Sequence, residues 1–441
     1  MKNHGLLRCR ARWHNLAPWI VGSIAACAAP QSETGDSVEL VQYAANDPQR
    51  VDHPGDGAWD FVAPDRVRDD CRLDPTALAR ADQQLGQPWV AIRYGRVCHA
   101  HRAQEMLPQE AFSVAKFLGA SVAGALALQS RTLPRWRRKT GPFSDEDRVD
   151  AWIDRVSYNP DARVAHVLAM VAQSPDLRFG HRTMEYDFFG VVQLDSLSSI
   201  MNAVIEQPGA QLGTNLETFT QRFVFGPLGM RQSTWSLGLP DKTLAWGWNT
   251  TVLDMARVGL MVLHGGTANG VRVLDEEWAY RMTHPAFEDA NTSMGYCTWL
   301  NAAANFTTGT MPTPASWSDL TAQPRFPGPC APVAIHRDHP HGLSESRDCN
   351  YGAARSCEQQ FDVGAWQSFA GWGTVIQGHP GLDLLLVAWQ LTPDDFFAAG
   401  AGGVLWDAVR PAVVNADPRF AGDERAFCEA YGGNHYAPDA P

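Results

Sequence analysis

Lysine is nearly missing from this 441-residue chain: Lys2, Lys116, Lys139 and Lys242 are all it has. Arginine supplies almost all the other positive charge. A guanidinium stays protonated at any working pH, whereas an ammonium can lose its proton when kept from water. A lysine inside an apolar stretch therefore raises a chemical question. Positive charge as a whole is also short, with a formal net charge of -12. The first 26 residues hold Lys2, Arg8, Arg10 and Arg12 and no carboxylate, which leaves 32 cations against 48 anions in the rest. Such a surface repels phosphate backbones, so nucleic acid is not expected as a partner. No CxxC pair occurs, which excludes zinc-ribbon and thioredoxin-type centres. No internal repeat is found, and no run of 18 apolar residues that would span a bilayer. What is present is ordinary globular composition, 45% hydrophobic and 19% charged, in a chain long enough for a sizeable core and two or three domains.

The start reads as an export signal over residues 1–26. Basic residues come first, then a mostly apolar run from Leu16 to Ala26, then small residues. Ile24-Ala25-Ala26-Cys27 resembles a bacterial lipobox, which implies cleavage before Cys27 and a lipid on its sulfur. The alternative is an ordinary signal peptide that contains a cysteine. The expected location is the bacterial cell envelope, in the periplasm or as a membrane-anchored lipoprotein touching the membrane only through that lipid. Residues 27–60 are polar with scattered Pro and Gly and are expected to be a flexible tether. Export permits disulfides. Beyond Cys9 and Cys27 there are seven cysteines (71, 98, 297, 330, 349, 357 and 428), so at least one stays unpaired within the chain. Cys330, Cys349 and Cys357 share one loop-rich region that they can staple; the pairing is not legible.

Residues 61–432 read as one domain. Trp89 to Tyr94, then Gly95-Arg96, then Val97 to Ala100 predict two strands and a tight turn. Residues 111–129 predict a buried apolar helix. Arg131 to Asp147 is a polar surface connection. Helices are predicted at Val164–Ala172, Val191–Glu206, Glu217–Phe225 (stopped by Gly226-Pro227) and Thr251–Leu263 (stopped near Gly265-Gly266), with Asp254 as N-cap of the last. A helical subdomain is thus expected over roughly 131–235. Residues 301–365 are rich in Pro, Gly, Thr and Ser and read as a long insertion. Ser368 to Trp389 predicts a late hairpin. Strands first, helices in the middle and strands at the end point to an α+β sheet domain interrupted by a helical one.

Ser113-Val114-Ala115-Lys116 carries the chemistry. Residues i and i+3 share one helix face. Desolvation favours the neutral amine, which can accept the serine's proton. A serine at a helix start also offers a backbone N–H without an intrahelical partner, suited to an oxyanion. S-x-x-K alone is a weak motif, and a lysine snorkelling from a packed helix gives the same letters. The scarcity of lysine and the apolar setting raise it.

In order over most of residues 85–391, the chain resembles the penicillin-recognising serine hydrolases. The branch is that of class C β-lactamases, D-alanyl-D-alanine carboxypeptidases, related esterases and 6-aminohexanoate-dimer hydrolases. AIRYGRVCHA is similar to the family's strand–Gly–strand, AFSVAKF to its nucleophile helix, and RVAHVLAMVAQS to the helix that follows. EYDFFGVVQLDSLSSIMNAVIE falls where the family has Tyr-x-Asn. VFGPLGMRQSTW, WNTTVLDMARVGLMVLHGG and SFAGWGTVIQGHPGLDLLLVAW match later segments. The resemblance implies a β-lactamase/transpeptidase-like fold, an antiparallel sheet flanked by helices with a helical subdomain. It implies Ser113 as acyl-forming nucleophile, Lys116 as its proton acceptor and Tyr186 as proton shuttle to the leaving group. Gly371 would let the strand approach the substrate, and the Trp372 N–H would be the second oxyanion donor beside that of Ser113. Tyr158, in Ser157-Tyr158-Asn159, is an alternative for the tyrosine. The deacylation base is Tyr186 or Lys116. Two departures stand out: Tyr186-Asp187-Phe188 lacks the Asn, and Phe369-Ala370-Gly371 lacks the Lys or His of the third motif. Acyl transfer on an ester or small amide is therefore expected, with β-lactam or peptidoglycan binding in doubt. A β-lactamase or D,D-peptidase, and a catalytically silent envelope-tethered binding protein, remain the alternatives.

No metal or organic cofactor is implied. His336, His339 and His341, near Cys330 and Cys349, read as an exposed insertion tip rather than a metal site. Gly119-Ala120-Ser121-Val122-Ala123-Gly124 is one residue too long for a nucleophile elbow, so Ser121 reads as a helix-packing residue. Trp366 and Trp372 flank the third motif and either wall a pocket for apolar or flat substrates or belong to the core.

Overall fold

The computed structural model describes residues 58–135, 139–154, 159–172, 188–235, 244–284, 286–287, 294–300, 303–304, 341–342, 366–394 and 401–414. Contacts divide the chain into Met1–Gln42 and Tyr43–Pro441, and every described residue falls in the second unit. The expected signal segment with Cys27, nearly all of the tether, and the body of the 301–365 insertion lie outside the described residues, as do Tyr158 and Tyr186.

The strands run in chain order as β1 (Trp89–Arg93), β2 (Arg96–His101), β3 (Gln109–Glu110), β4 (Thr234–Trp235), β5 (Trp248–Thr250), β6 (Thr267–Ala268), β7 (Val271–Arg272), β8 (Trp299–Leu300), β9 (Ala303–Ala304), β10 (His341–Gly342), β11 (Trp366–Phe369), β12 (Val375–His379) and β13 (Leu384–Ala388). The principal sheet has the order β2-β1-β13-β12-β11-β8, antiparallel throughout. The late hairpin returns to the first strand, from Trp89↔Ala388 to Arg93↔Leu384. Tyr94 and Gly95 both have positive φ, at 55° and 76°, and join β1 to β2. The tight turn thus sits one residue earlier than predicted, because Arg96 already pairs with Arg93.

The helices are α1 (Val67–Cys71), α2 (Pro75–Leu85), α3 (Ala115–Ser130), α4 (Val164–Leu168), α5 (Phe188–Ile205), α6 (Leu216–Thr220), α7 (Gly226–Leu228), α8 (Val252–Leu263), α9 (Glu276–Thr283) and α10 (Ala401–Val409). β1, β12 and β13 are buried at every residue, because helices cover both faces of the sheet. Alternation along the strands sorts the side chains. Val90, Ile92, Ile376, Leu385 and Val387 join the core that holds α3 and α8, while Trp89, Ala91, Val375, Leu384, Leu386 and Ala388 join α2 and α10. α8 meets the sheet at Gly259, where a Cβ would come within 2.9 Å of Ile376 and Leu385. A Cys71–Cys98 disulfide ties the end of α1 to β2.

An antiparallel sheet of early and late strands, helices on both faces and further helices between is the α+β, β-lactamase/transpeptidase-like architecture that the sequence resemblance implies. Three local expectations need correction. The N-cap of α8 is Thr251, whose hydroxyl accepts from the Asp254 N–H. Asp254 lies in the first turn, and its carboxylate instead accepts from the Gln232 N–H and the Ser233 hydroxyl. The 217–225 helix does not stop at Gly226-Pro227. The chain widens into a π turn over Gln221–Phe225, continues through Leu228, and ends at Gly229 with φ 66°. Pro227 sits at the first position of that last turn, where its missing N–H is not needed. α4 ends at Leu168, four residues early, with Met170 already left-handed at φ 58°.

Candidate active site

The segment before Ser113 is held as an edge of a second, small sheet. β3 pairs with β5, Gln109 opposite Thr250 and Glu110 opposite Asn249. The Ala111 N–H then donates to the Trp248 carbonyl at 2.7 Å. Phe112 turns left-handed at φ 49°, and Ser113 enters a 3-10 turn that runs directly into α3. Ser113 is half-buried and Lys116, one turn on, is 3% exposed. Lys116 Nζ donates to Ser113 Oγ at 2.8 Å.

The rest of α3 explains why the lysine is covered. The helix is apolar on all sides. Phe117 stacks on Trp366 of β11 with ring centroids 5.4 Å apart. Ser121 Oγ donates back to the Phe117 carbonyl, which confirms it as a helix-packing residue. Gly124 lies against Trp278 of α9, where a Cβ would come within 2.4 Å of the indole. Cys297, free and buried, has its thiol pushed up to about 12 by burial, with the positive charge of Lys116 pulling the other way. That thiol is protonated at neutral pH and is no competing nucleophile.

The third-motif segment comes to the same place. Ala370 leaves β11, and the turn through Gly371 to Gly373 leads into β12. Trp372 takes the left-handed conformation at φ 59°, and its half-buried ring packs on Phe112 at 4.7 Å between centroids. The backbone is fixed by Thr392 N–H to Trp372 O at 3.0 Å and Ala370 N–H to Thr374 O at 2.8 Å. Of the two tryptophans, Trp366 is core and Trp372 packs on Phe112, the residue before Ser113. Ser113 and Lys116 at the head of α3, and Gly371 and Trp372 in the turn before β12, therefore lie on two pieces of chain that meet through the Phe112 and Trp372 rings. Tyr186 lies outside the described residues, as do His336 and His339.

Two features went unread in the sequence. Glu110 is half-buried, and its Oε1 accepts the N–H of Phe112 at 3.0 Å and of Gly247 at 2.8 Å. Desolvation raises its pKa, and these two hydrogen bonds oppose the rise. A carboxylate three residues ahead of the serine was the available signal. The left-handed Phe112 left no trace, since bulky residues seldom adopt that conformation. A cavity of about 460 Å³ bordered by Phe61, Val67, Leu78 and His99 adjoins β2 and shares no lining residue with the Ser113 site.

No protein-family model matches the chain, and no curated protein sequence does. Solved structures do. The chain is similar to a penicillin-binding protein homologue from Caulobacter crescentus at 12% identity, over 77% of this chain and 98% of that one, with a TM-score of 0.46. It is similar to a β-lactamase from Mycobacterium bovis at 15% identity, over 75% and 98%, with a TM-score of 0.44. It is similar to a family VIII carboxylesterase at 13% identity, over 82% and 99%, with a TM-score of 0.43.

Proposed function

We propose that this protein is an exported serine hydrolase that cleaves an ester or a small amide through an acyl-enzyme on Ser113. The observation that carries the reading is the 2.8 Å contact between a half-buried serine hydroxyl and a buried lysine amine at the head of an apolar helix. In its neutral form that amine takes the proton as Ser113 Oγ attacks the carbonyl carbon. The oxyanion that forms is held by the N–H groups of Ser113 and Trp372. The carbonyl–leaving-group bond then breaks and the leaving group takes a proton, in the role the resemblance gives to Tyr186. Water adds to the acyl-enzyme, its proton passes to Lys116 or Tyr186, and the acid departs with Ser113 restored. The absence of a third-motif Lys or His in Phe369-Ala370-Gly371 favours substrates without a carboxylate to anchor. The Cys71–Cys98 disulfide supports an oxidising compartment, and Cys27 remains the proposed lipid site.

The test is a fluorophosphonate probe followed by p-nitrophenyl esters and anilides. The reading expects label on Ser113, none on Ser113→Ala, and turnover of at least one ester. Folded wild-type protein that takes no label is instead a silent binding protein. Rapid turnover of a chromogenic cephalosporin with little on the esters would move the assignment to a β-lactamase.

A further inference from the structure

Phe112 is a bulky residue in a left-handed conformation, φ 49°, that is unfavourable for any side chain with a Cβ. It stands immediately before Ser113, so its φ sets the direction from which the serine enters the helix. Strain of this kind persists only where surrounding groups over-determine it. The Ala111 N–H is fixed on Trp248, and the Phe112 N–H is drawn onto Glu110 Oε1 at 3.0 Å. The same oxygen takes the Gly247 N–H at 2.8 Å, from the loop that leads into β5. Gly247 is itself left-handed at φ 89°. One carboxylate oxygen therefore joins two turns, one leading into the nucleophile and one into its supporting strand. A charged acceptor makes stronger bonds to backbone N–H groups than a neutral one.

We propose that Glu110 is the positioning residue of the nucleophile: by accepting the N–H groups of Phe112 and Gly247 it holds Phe112 left-handed and aims Ser113 Oγ at Lys116 Nζ. The inference rests on the serine-hydrolase reading and adds to it a residue that acts through Ser113.

The experiment is a double-mutant cycle on the rate of fluorophosphonate labelling, with kcat and KM for a reactive p-nitrophenyl ester measured alongside. Glu110→Ala should slow labelling and lower kcat by about tenfold or more, with KM little changed. Glu110→Gln keeps an acceptor oxygen and should recover most of the rate. Phe112→Gly adopts the left-handed conformation without a Cβ penalty. In that background, measured against its own baseline, the loss from Glu110→Ala should shrink to about threefold or less. If Glu110→Ala does not fold, Glu110→Met fills the space without accepting an N–H, and the same two backgrounds are compared. Labelling of the Glu110 variant at the wild-type rate, or an equal loss in both backgrounds, overturns the inference. Because Ser113→Ala is run in parallel, label persisting on that protein would instead sink the serine-hydrolase reading itself.

Discussion

Strand β12 lies between two residues with left-handed backbone: Trp372 before it, at φ 59°, and Asp383 after it, at φ 44°. The backbone cost is the same in kind at both ends, but the surroundings differ. At the Asp383 end the turn is locked from every side. His264 Nε2 and Asp383 Oδ1 are 2.9 Å apart, and both side chains are almost wholly buried. The Tyr94 N–H donates to the Asp383 carbonyl, and Arg93 Nε donates to the Leu382 carbonyl. At the Trp372 end the backbone is tied but the ring stays half-exposed. It packs on Phe112, a second left-handed residue next to Ser113. A positive φ therefore does not mark a functional residue by itself. Trp372 differs from Asp383 in that its side chain stays partly accessible, against Phe112 and next to the proposed serine.

The comparison can be broken from either side. The largest effect on stability is expected at the locked end. His264→Ala removes one member of a buried hydrogen-bonded pair and should cost about 3 kcal/mol in denaturant unfolding, with kcat of the remaining folded enzyme unchanged. A fall in kcat without loss of stability would mean that this end also serves the reaction.

A sharper contrast puts glycine at both ends. Trp372→Gly relieves about 1 kcal/mol of backbone strain but loses the Phe112 ring contact and the burial of part of the indole, so it should lose less stability than Asp383→Gly while ester turnover falls. Asp383→Gly relieves the same strain but loses the bond to His264, so it should be less stable and retain turnover. The two readouts should cross; parallel changes would dissolve the distinction.

The smallest effect belongs to neither end. Burial pushes His284 down to about 4 from an ordinary value of 6.5. A lowered folded pKa means that the unfolded chain binds the proton first as pH falls. The contribution of this group is therefore complete above 6.5 and is lost progressively between 6.5 and about 4. Between pH 8 and pH 6 wild type should lose about 1 kcal/mol more than His284→Phe, which keeps the ring stacked near Tyr280. The same difference should appear in the His264 and Trp372 variants, since the group touches neither end.

The sheet was legible because its strands are runs of Val, Ile, Leu and Trp set between turn residues, and because the helix of 111–129 is apolar on every side. Ser113 and Lys116 were legible because the helix repeat fixes i and i+3 on one face. Helix ends were less so. Asp254 has the right side chain for an N-cap, but Thr251 stands three residues earlier and takes the role, which frees the Asp254 carboxylate to hold Gln232 and Ser233. Gly226-Pro227 looks like a stop, yet a π turn carries the chain past it. The contacts of Glu110 and Phe112 are not legible because they depend on Gly247, 137 residues away from Glu110, meeting the same carboxylate oxygen. No local pattern encodes that meeting.

The decisive measurement is the rate at which Lys116→Met takes up the fluorophosphonate probe. Methionine matches the buried stem of the lysine and keeps α3 packed, but it cannot accept a proton. The account predicts a folded protein whose labelling at Ser113 is slowed by about a hundredfold or more. A folded Lys116→Met that labels as fast as wild type would contradict it.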